Sequence, residues 1–121
     1  MDVYRIAWLG IATPQYPAAR AFFGDVLGLP VVFSEPDTTE LAVGDDRVQL
    51  FAPGHPCFGR FRRHTTGPVP LFEIDDVDAA APRLRAHGVA VLGPPESDDA
   101  WRWVNVIGPD GNLYELGSRT G

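Results

Sequence analysis

The chain repeats its own order of secondary-structure signals. A strand-like segment, a short amphipathic segment that ends in glycine and three further strand-like segments fill residues 4–53, and the same order returns over residues 68–117. The glycines that end the two amphipathic segments, Gly28 and Gly88, are about 60 residues apart. This repeat in a chain of 121 residues predicts one domain, residues 1–121, built from two βαβββ modules with an α+β fold.

The linker between the modules, about residues 54–67, breaks the pattern. It is rich in Pro and Gly and carries no periodicity, so we expect the longest loop of the chain here. It is also basic and aromatic, with Phe58, Arg60, Phe61, Arg62 and Arg63. Such a loop could be a lid that clamps an anionic or aromatic ligand, or a solvated crossover between the modules, and we favour the crossover.

Composition excludes several classes of function. The net charge of −6 argues against a nucleic-acid partner, and the absence of Lys removes Schiff-base chemistry. The single cysteine, Cys57, excludes an internal disulfide and a Cys-based zinc site. No apolar run is long enough to cross a membrane and no signal peptide is present, so we expect a cytoplasmic protein with no membrane partner.

The C-terminal segment, residues 101–117, predicts a hairpin. Pro, Asp, Gly and Asn at 109–112 are turn residues, and one acid, Glu115, lies inside the second strand, where a carboxylate is uncommon. Trp101, Trp103 and Asn105 share one face of the first strand because strand side chains alternate. A three-residue loop, 109–111, would bring that face together with Glu115, and a four-residue loop would separate them. We favour the shorter loop.

Three motifs in order resemble the vicinal oxygen chelate superfamily, which contains glyoxalase I, extradiol dioxygenases and bleomycin-binding proteins. They are AFFGDVLGL at residues 21–29, FEIDDVD at 72–78 and GPDGNLYEL at 108–116. The resemblance spans nearly the whole chain. It implies two βαβββ modules that form a curled mixed sheet, the glyoxalase/bleomycin-resistance fold, and a homodimer with a cavity for a small molecule.

The resemblance also implies where a metal would bind. The family's four ligand positions, carried over residue by residue, fall on Trp8, Gln49, Val69 and Glu115. Trp and Val do not ligate metals, and one Gln with one Glu is too few ligands for an ordinary divalent site. We therefore expect no metal and no cofactor. His55, His64 and His87 are not expected to supply a site, and Cys57 has no base placed beside it by spacing.

The same positions become candidate ligand-binding residues. Glu115 either faces the cavity or accepts hydrogen bonds at a sheet end, and Gln49 either shares that cavity or faces solvent. Trp8 either stacks on a ligand or fills the space of the lost metal as core. The full predicted set is Trp8, Gln49, Trp101, Trp103, Asn105 and Glu115.

Three functions follow from this set. The first is a protein of the bleomycin-resistance type that binds a planar or aromatic natural product or antibiotic without changing it. The second is a metal-independent isomerase or lyase that uses Glu115 as general base, with Gln49 assisting. The third, a metal-dependent glyoxalase-like or dioxygenase-like enzyme, is disfavoured by the lost ligand positions.

Overall fold

A computed structural model describes residues 1–64, 67–108 and 111–120 of the protein and shows the two predicted modules. Module one contains β1 (Val3–Ala12), α1 (Tyr16–Ala21), β2 (Val31–Glu35), β3 (Thr38–Val43) and β4 (Asp46–Phe51). Helix α2 (Pro56–His64) follows. Module two contains β5 (Val69–Ile74), α3 (Val77–Ala86), β6 (Ala90–Ser97), β7 (Trp101–Ile107) and β8 (Leu113–Arg119). The predicted α+β class and doubled βαβββ order are therefore confirmed.

The eight strands form one mixed sheet in the order β2-β3-β4-β1-β5-β8-β7-β6. The first strands of the two modules, β1 and β5, pair antiparallel at the centre, and each also pairs parallel with the last strand of its own module. The sheet curls, but the outer strands β2 and β6 do not pair, so it remains an open cup.

Two of the hydrophobic clusters lie on the face of the sheet that carries α1 and α3. Val77 of α3 packs there on the buried strand residues Ile74, Val104 and Val106. Beneath α1 the buried residues include Leu41, Val48 and Leu50. Because side chains alternate along a strand, the residues between these positions point to the concave face. Because the apolar strand residues pack against α1 and α3 on one face of the sheet, the predicted site residues lie on the opposite, concave face.

The segment predicted to be a loop between the modules is largely helical, and that prediction was wrong. Pro56 occupies the first position of α2, where a missing N–H costs little, and the N–H of Cys57 donates to His55 Nδ1 at 3.0 Å. Arg62, Arg63 and His64 lie in the last turn, where cations stabilise a helix. Phe61 is buried in a third cluster with Phe51, Val69 and Leu113. This cluster attaches α2 to the concave face.

The sequence pattern also predicts a regular first helix from about residue 17 to 28, an N-cap of α3 at Asp78, and a sixth strand that ends at residue 92 before a loop. The structure differs on all three. The N-cap of α3 is Asp76, whose carboxylate accepts the N–H groups of Asp78 and Ala79. Strand β6 continues to Ser97, beyond the expected end near residue 92. The first helix ends in a π-helical turn, Phe22–Val26, which changes the phase of its side chains. Among the described residues, no helix is long and apolar enough to cross a membrane.

Candidate functional site

A cavity of about 440 Å³ opens on the concave face of the sheet. Strands from both modules form its walls, and α2 covers part of it. Five of the six predicted site residues line the cavity: Trp8, Gln49, Trp101, Trp103 and Glu115. Asn105, the sixth, is fully buried and lies on the same face of the sheet without lining the cavity.

Trp8 is held in place by one hydrogen bond and two aromatic contacts. Its Nε1 donates to Gln49 Oε1 at 3.1 Å, and Gln49 Nε2 donates to Thr38 Oγ1 at 3.0 Å. The indole meets the rings of Phe51 and Phe61 edge to face, at 6.1 and 6.0 Å between centroids. Because these contacts fix both the ring and the amide, the module-one side of the cavity is rigid.

Gly10 makes room for this ring. A Cβ atom at Gly10 would lie 2.3 Å from Trp8 Cη2 and 2.5 Å from Phe61 Cε2, well inside van der Waals contact. Because residue 10 has no side chain, the ring of Trp8 can lie over Gly10, two residues further along the same strand β1. The glycine in this strand is therefore explained by the aromatic wall of the cavity.

The register of the C-terminal hairpin decides which face the tryptophans occupy. Asn105 pairs with Glu115, Trp103 with Gly117, and Ile107 with Leu113. The Gly108 N–H donates to the carbonyl of Asn112 at 2.9 Å, and the predicted turn residues 109 and 110 lie outside the described part of the chain. The register matches the favoured three-residue loop, and Trp101 and Trp103 lie on the face of Glu115.

Glu115 is a buried acid that its neighbours leave without a hydrogen bond. Its side chain lines the cavity, the residue is 7% exposed, and no described residue donates a hydrogen bond to its carboxyl group. Burial raises its pKa to about 8, the nearby Glu96 carboxylate adds to the rise, and Arg60 opposes it. The group is therefore mostly a neutral carboxylic acid at pH 7.

Glu96 connects three elements at the rim of the cavity. Its Oε2 accepts hydrogen bonds from Arg60 on α2 and from the buried Asn105 Nδ2, each at 3.2 Å. The other amide atom, Asn105 Oδ1, is buried and receives no hydrogen bond from the residues that the structure describes. A bulge in β6 produces this arrangement, because Leu92 pairs with Asn105 while Glu96, not residue 94, pairs with Trp103.

Sequence reasoning missed several lining residues. Glu96 was placed in a loop, and the bulge that directs it inward has no clear sequence signal beyond Gly93 and the two prolines that follow it. Arg60 belonged to the segment expected to be a solvated crossover, and the helix turns it toward the cavity. The other missed lining residues are Phe33, Glu40, Phe51, His55, Cys57, Phe61, Leu71, Asp98 and Ala100.

A family model matches residues 5–116 and is described as the Glyoxalase/Bleomycin resistance protein/Dioxygenase superfamily. The chain belongs to this superfamily. The predicted resemblance is thereby confirmed over nearly the whole length. A sequence comparison with curated proteins gave no match.

Solved structures with the same fold include an epimerase. Streptomyces coelicolor methylmalonyl-CoA epimerase, in complex with 2-nitronate-propionyl-CoA, is 25% identical with a TM-score of 0.77, over 99% of this chain and 100% of the other. A superfamily member from Vibrio splendidus 12B01 is 19% identical with a TM-score of 0.70, over 98% and 99%. A hypothetical protein from Bacillus halodurans C-125 is 16% identical with a TM-score of 0.76, over 97% and 95%.

The residues at the four metal-ligand positions that the family resemblance indicates do not fit a metal ion. Trp8 offers only an N–H donor, which already bonds the one oxygen that Gln49 could contribute. Val69 is apolar and fully buried, so Glu115 would be the sole remaining ligand. In the described residues no group of three or more His, Cys, Asp or Glu is placed to hold a metal.

Proposed function

We propose that the protein binds a planar or aromatic small molecule, such as a natural product or an antibiotic, in the concave cavity. The observation that carries this proposal is that all three tryptophans of the chain line one cavity of about 440 Å³. This volume lies in the range of small-molecule sites, roughly 300–1,000 Å³. Indole rings offer large rigid surfaces on which a flat ligand stacks at a low cost in side-chain entropy.

Fluorescence titration tests the proposal directly. Because every tryptophan lines the cavity, quenching of the intrinsic emission by an aromatic compound reports on this site alone. We expect saturable quenching by a panel of aromatic natural products and recovery of each compound unchanged. Trp8→Ala should weaken binding about tenfold or more, since loss of a central aromatic contact costs roughly 2 kcal/mol. Val26→Ala, at a 73% exposed position outside the cavity, is the matched control. Equal affinity of the Trp8→Ala and Val26→Ala variants would show that Trp8 does not contribute to ligand binding.

A second candidate is a metal-independent isomerase or lyase with Glu115 as general base. The specific observation behind it is the buried carboxyl with a pKa of about 8, which makes its ionised form a stronger base than an ordinary glutamate. The likeness to an epimerase in complex with 2-nitronate-propionyl-CoA supports isomerisation as the reaction class, but not its independence of a metal. Incubation of bound compounds in D₂O distinguishes the two functions. Deuterium incorporation that Glu115→Gln abolishes would establish proton transfer, whereas unchanged compound favours binding alone.

A metal-dependent glyoxalase-like or dioxygenase-like activity remains the disfavoured alternative. The reason is the donor set, since Trp8 and Val69 stand where the resemblance puts two ligands. Elemental analysis of protein purified without chelator tests it. Stoichiometric zinc, iron, nickel or manganese that is lost in Glu115→Gln would overturn the proposed absence of a metal centre.

We further propose that the protein is a homodimer. Strand β2 exposes Val31, Val32 and Phe33, each between 44% and 49% exposed, at an outer edge of the sheet. An exposed apolar edge strand of this kind is stabilised when another chain packs against it and removes the apolar surface from water. Phe33 also lines the cavity, so a second copy against β2 would lie beside the cavity mouth. Sedimentation velocity of the wild type and of Val32→Glu tests this, and a wild-type monomer would contradict it.

A further inference from the structure

We propose that the ligand of the cavity carries a positive charge on or next to its planar ring, as in a quaternary ammonium or protonated-nitrogen compound. This inference rests on the proposed binding function and specifies its ligand class. Three features of the cavity carry it: the charges on its walls, the aromatic surfaces between them, and the lining carboxyl group of Glu115, to which no described residue donates a hydrogen bond.

The charges on the cavity wall are unbalanced. Four carboxyl groups line it, Glu40, Glu96, Asp98 and Glu115, against one guanidinium, Arg60. Arg60 is already paired with Glu96, and Glu115 is mostly neutral at pH 7. Glu40 and Asp98 are therefore the acids left without a cation among the described lining residues. The lining group His55 uses its Nδ1 to accept the Cys57 N–H, and the Cys57 thiol has a pKa raised by burial, so it is neutral. Among the lining residues that the structure describes, carboxyl groups therefore outnumber cations, and the one guanidinium is already paired.

Two of these acids come from different modules and interact electrostatically across the cavity lining. Glu40 lies on β3 in module one, and Asp98 follows β6 in module two. Burial raises the pKa of Glu40, Arg47 opposes that rise, and the Asp98 carboxylate adds to it. Asp98 Oδ1 accepts the N–H groups of Ala100 and Trp101, at 2.8 and 2.7 Å. A cation between the two acids would relieve their repulsion.

The aromatic residues give the same preference. Ring faces carry negative electrostatic potential and attract cations, with Trp as the strongest of the three aromatic types. Trp101 already shows this, since the guanidinium carbon of Arg119 lies 4.6 Å from its ring centroid. Arg119 does not line the cavity, and its positive charge is offset by Glu73, whose Oε2 lies 3.6 Å from Arg119 Nε. A cationic ligand would combine the indole faces with the acidic groups, which an anionic ligand could not do.

Binding of such a ligand should be coupled to loss of the proton from the Glu115 carboxyl. The charged groups that act on its carboxyl are Glu96 from β6 and Arg60 from α2, and Glu115 in turn acts on the Cys57 thiol. Because the carboxyl is protonated at neutral pH and unpartnered, a cation nearby would favour its ionised form. Binding of a cation at pH 7 should therefore release close to one proton, and a neutral ligand should release none.

A matched series of three probes on one ring system tests the inference. The probes are (naphthalen-2-ylmethyl)trimethylammonium, naphthalene-2-methanol and naphthalene-2-carboxylate, titrated calorimetrically at neutral pH. We expect the cation to bind about tenfold or more tighter than the alcohol, a difference of about 1.4 kcal/mol, with the carboxylate weakest. If the alcohol binds as tightly as the cation, the charge inference is wrong and the proposed binding function stands. If none of the three binds, the proposed binding function fails, and the inference fails with it.

Substitutions of glutamate by glutamine distinguish an effect of wall charge on ligand affinity from an effect of cavity shape. Glu40→Gln should weaken the cation at least threefold and leave the alcohol unchanged, whereas the exposed Glu35, which does not line the cavity, should tolerate the same change without effect on either. Equal loss for cation and alcohol would show that Glu40 acts through shape. Titrations in buffers of different ionisation enthalpy measure the released proton. Release for the cation that disappears in Glu115→Gln supports the coupling, and its absence in the wild type overturns it.

Discussion

Replacing Glu115 by Gln should change how the stability of the protein depends on pH. In the folded state burial holds the pKa of this carboxyl at about 8, against an ordinary value of 4.5. Between these values the folded protein keeps a proton that the unfolded chain has lost. The free energy of unfolding therefore falls as pH rises from 4.5 to 8, and the loss is complete above pH 8.

The size of the effect follows from the same two values. One pKa unit corresponds to about 1.4 kcal/mol, so the loss amounts to about 3 kcal/mol at pH 7 and about 5 kcal/mol above pH 8. Glutamine has the shape of the protonated acid and does not ionise, so Glu115→Gln should escape this loss. The stability of the variant relative to the wild type should rise by about 3 kcal/mol between about pH 4.5 and pH 7.

Urea unfolding at a series of pH values, followed by tryptophan emission, measures the difference. The control is Glu35→Gln, an exposed carboxyl on the outer strand β2, which should stay parallel to the wild type. A Glu115→Gln curve that also stays parallel from about pH 4.5 to about pH 8.5 would show that the carboxyl ionises freely in the folded protein. The account of Glu115 as a neutral acid at pH 7 would then be refuted.

Three further substitutions test other parts of the structure. Gly10→Ala should destabilise the fold by about 1–3 kcal/mol and shift the tryptophan emission, because its Cβ collides with Trp8, while Gly54→Ala, with no atom within 4 Å, should be neutral in the same melts. Asp76→Ala should cost about 1 kcal/mol through loss of the α3 N-cap, and an unchanged melting curve would contradict this. Glu96→Gln should lower the pKa of Glu115, seen as an earlier end to the pH-dependent loss, and an unshifted profile would exclude Glu96 as a cause.

Local chemistry was enough to predict the C-terminal hairpin. Strand alternation put Trp101, Trp103 and Asn105 on one face, and the Pro-Asp-Gly-Asn sequence marked the turn. The observed register follows from those two rules and from burial of Val104 and Val106 under α3 on the opposite face. A one-residue slip would have exposed the apolar set and buried the wrong one, so the register is strongly determined.

Helix α2 could not be predicted in the same way. Its sequence, PCFGRFRRH, carries a proline and a glycine and has a weak intrinsic tendency to form a helix. The helix forms because Phe61 is buried against Phe51, Val69 and Leu113, residues that come from both modules. Packing between residues that are distant in the chain gives no signal in the local sequence of the helix. The same holds for Glu96, whose direction depends on a bulge in β6 and on partners 36 and 9 residues away.

The prediction for the first helix was only partly correct. The sequence pattern predicts a buried stripe of Phe22, Val26 and Leu29, with Phe23 and Leu27 beside them, yet Phe22, Val26 and Leu27 are 48%, 73% and 53% exposed. The π-helical turn places Leu27 N–H on the Phe22 carbonyl, which rotates the following side chains out of the expected stripe. Phe23 and Leu29 pack on the sheet as expected. A pattern of period 3.6 cannot anticipate a turn with a different period.

A comparison of the two modules explains why no described residue donates a hydrogen bond to the Glu115 carboxyl. Gly10 pairs with Gln49 between β1 and β4, and Leu71 pairs with Glu115 between β5 and β8, so Gln49 and Glu115 hold equivalent places in the repeat. Two residues before Gly10 and Leu71 lie Trp8 and Val69.

In module one, Trp8 donates a hydrogen bond that satisfies the polar group of Gln49. In module two, Val69 has no side-chain group to donate and is fully buried, so no equivalent hydrogen bond reaches the carboxyl of Glu115. An unpartnered buried acid lowers stability, and module one shows that this scaffold can satisfy the equivalent group at the same place. The asymmetry between the modules therefore leaves one position open for a group supplied by a ligand.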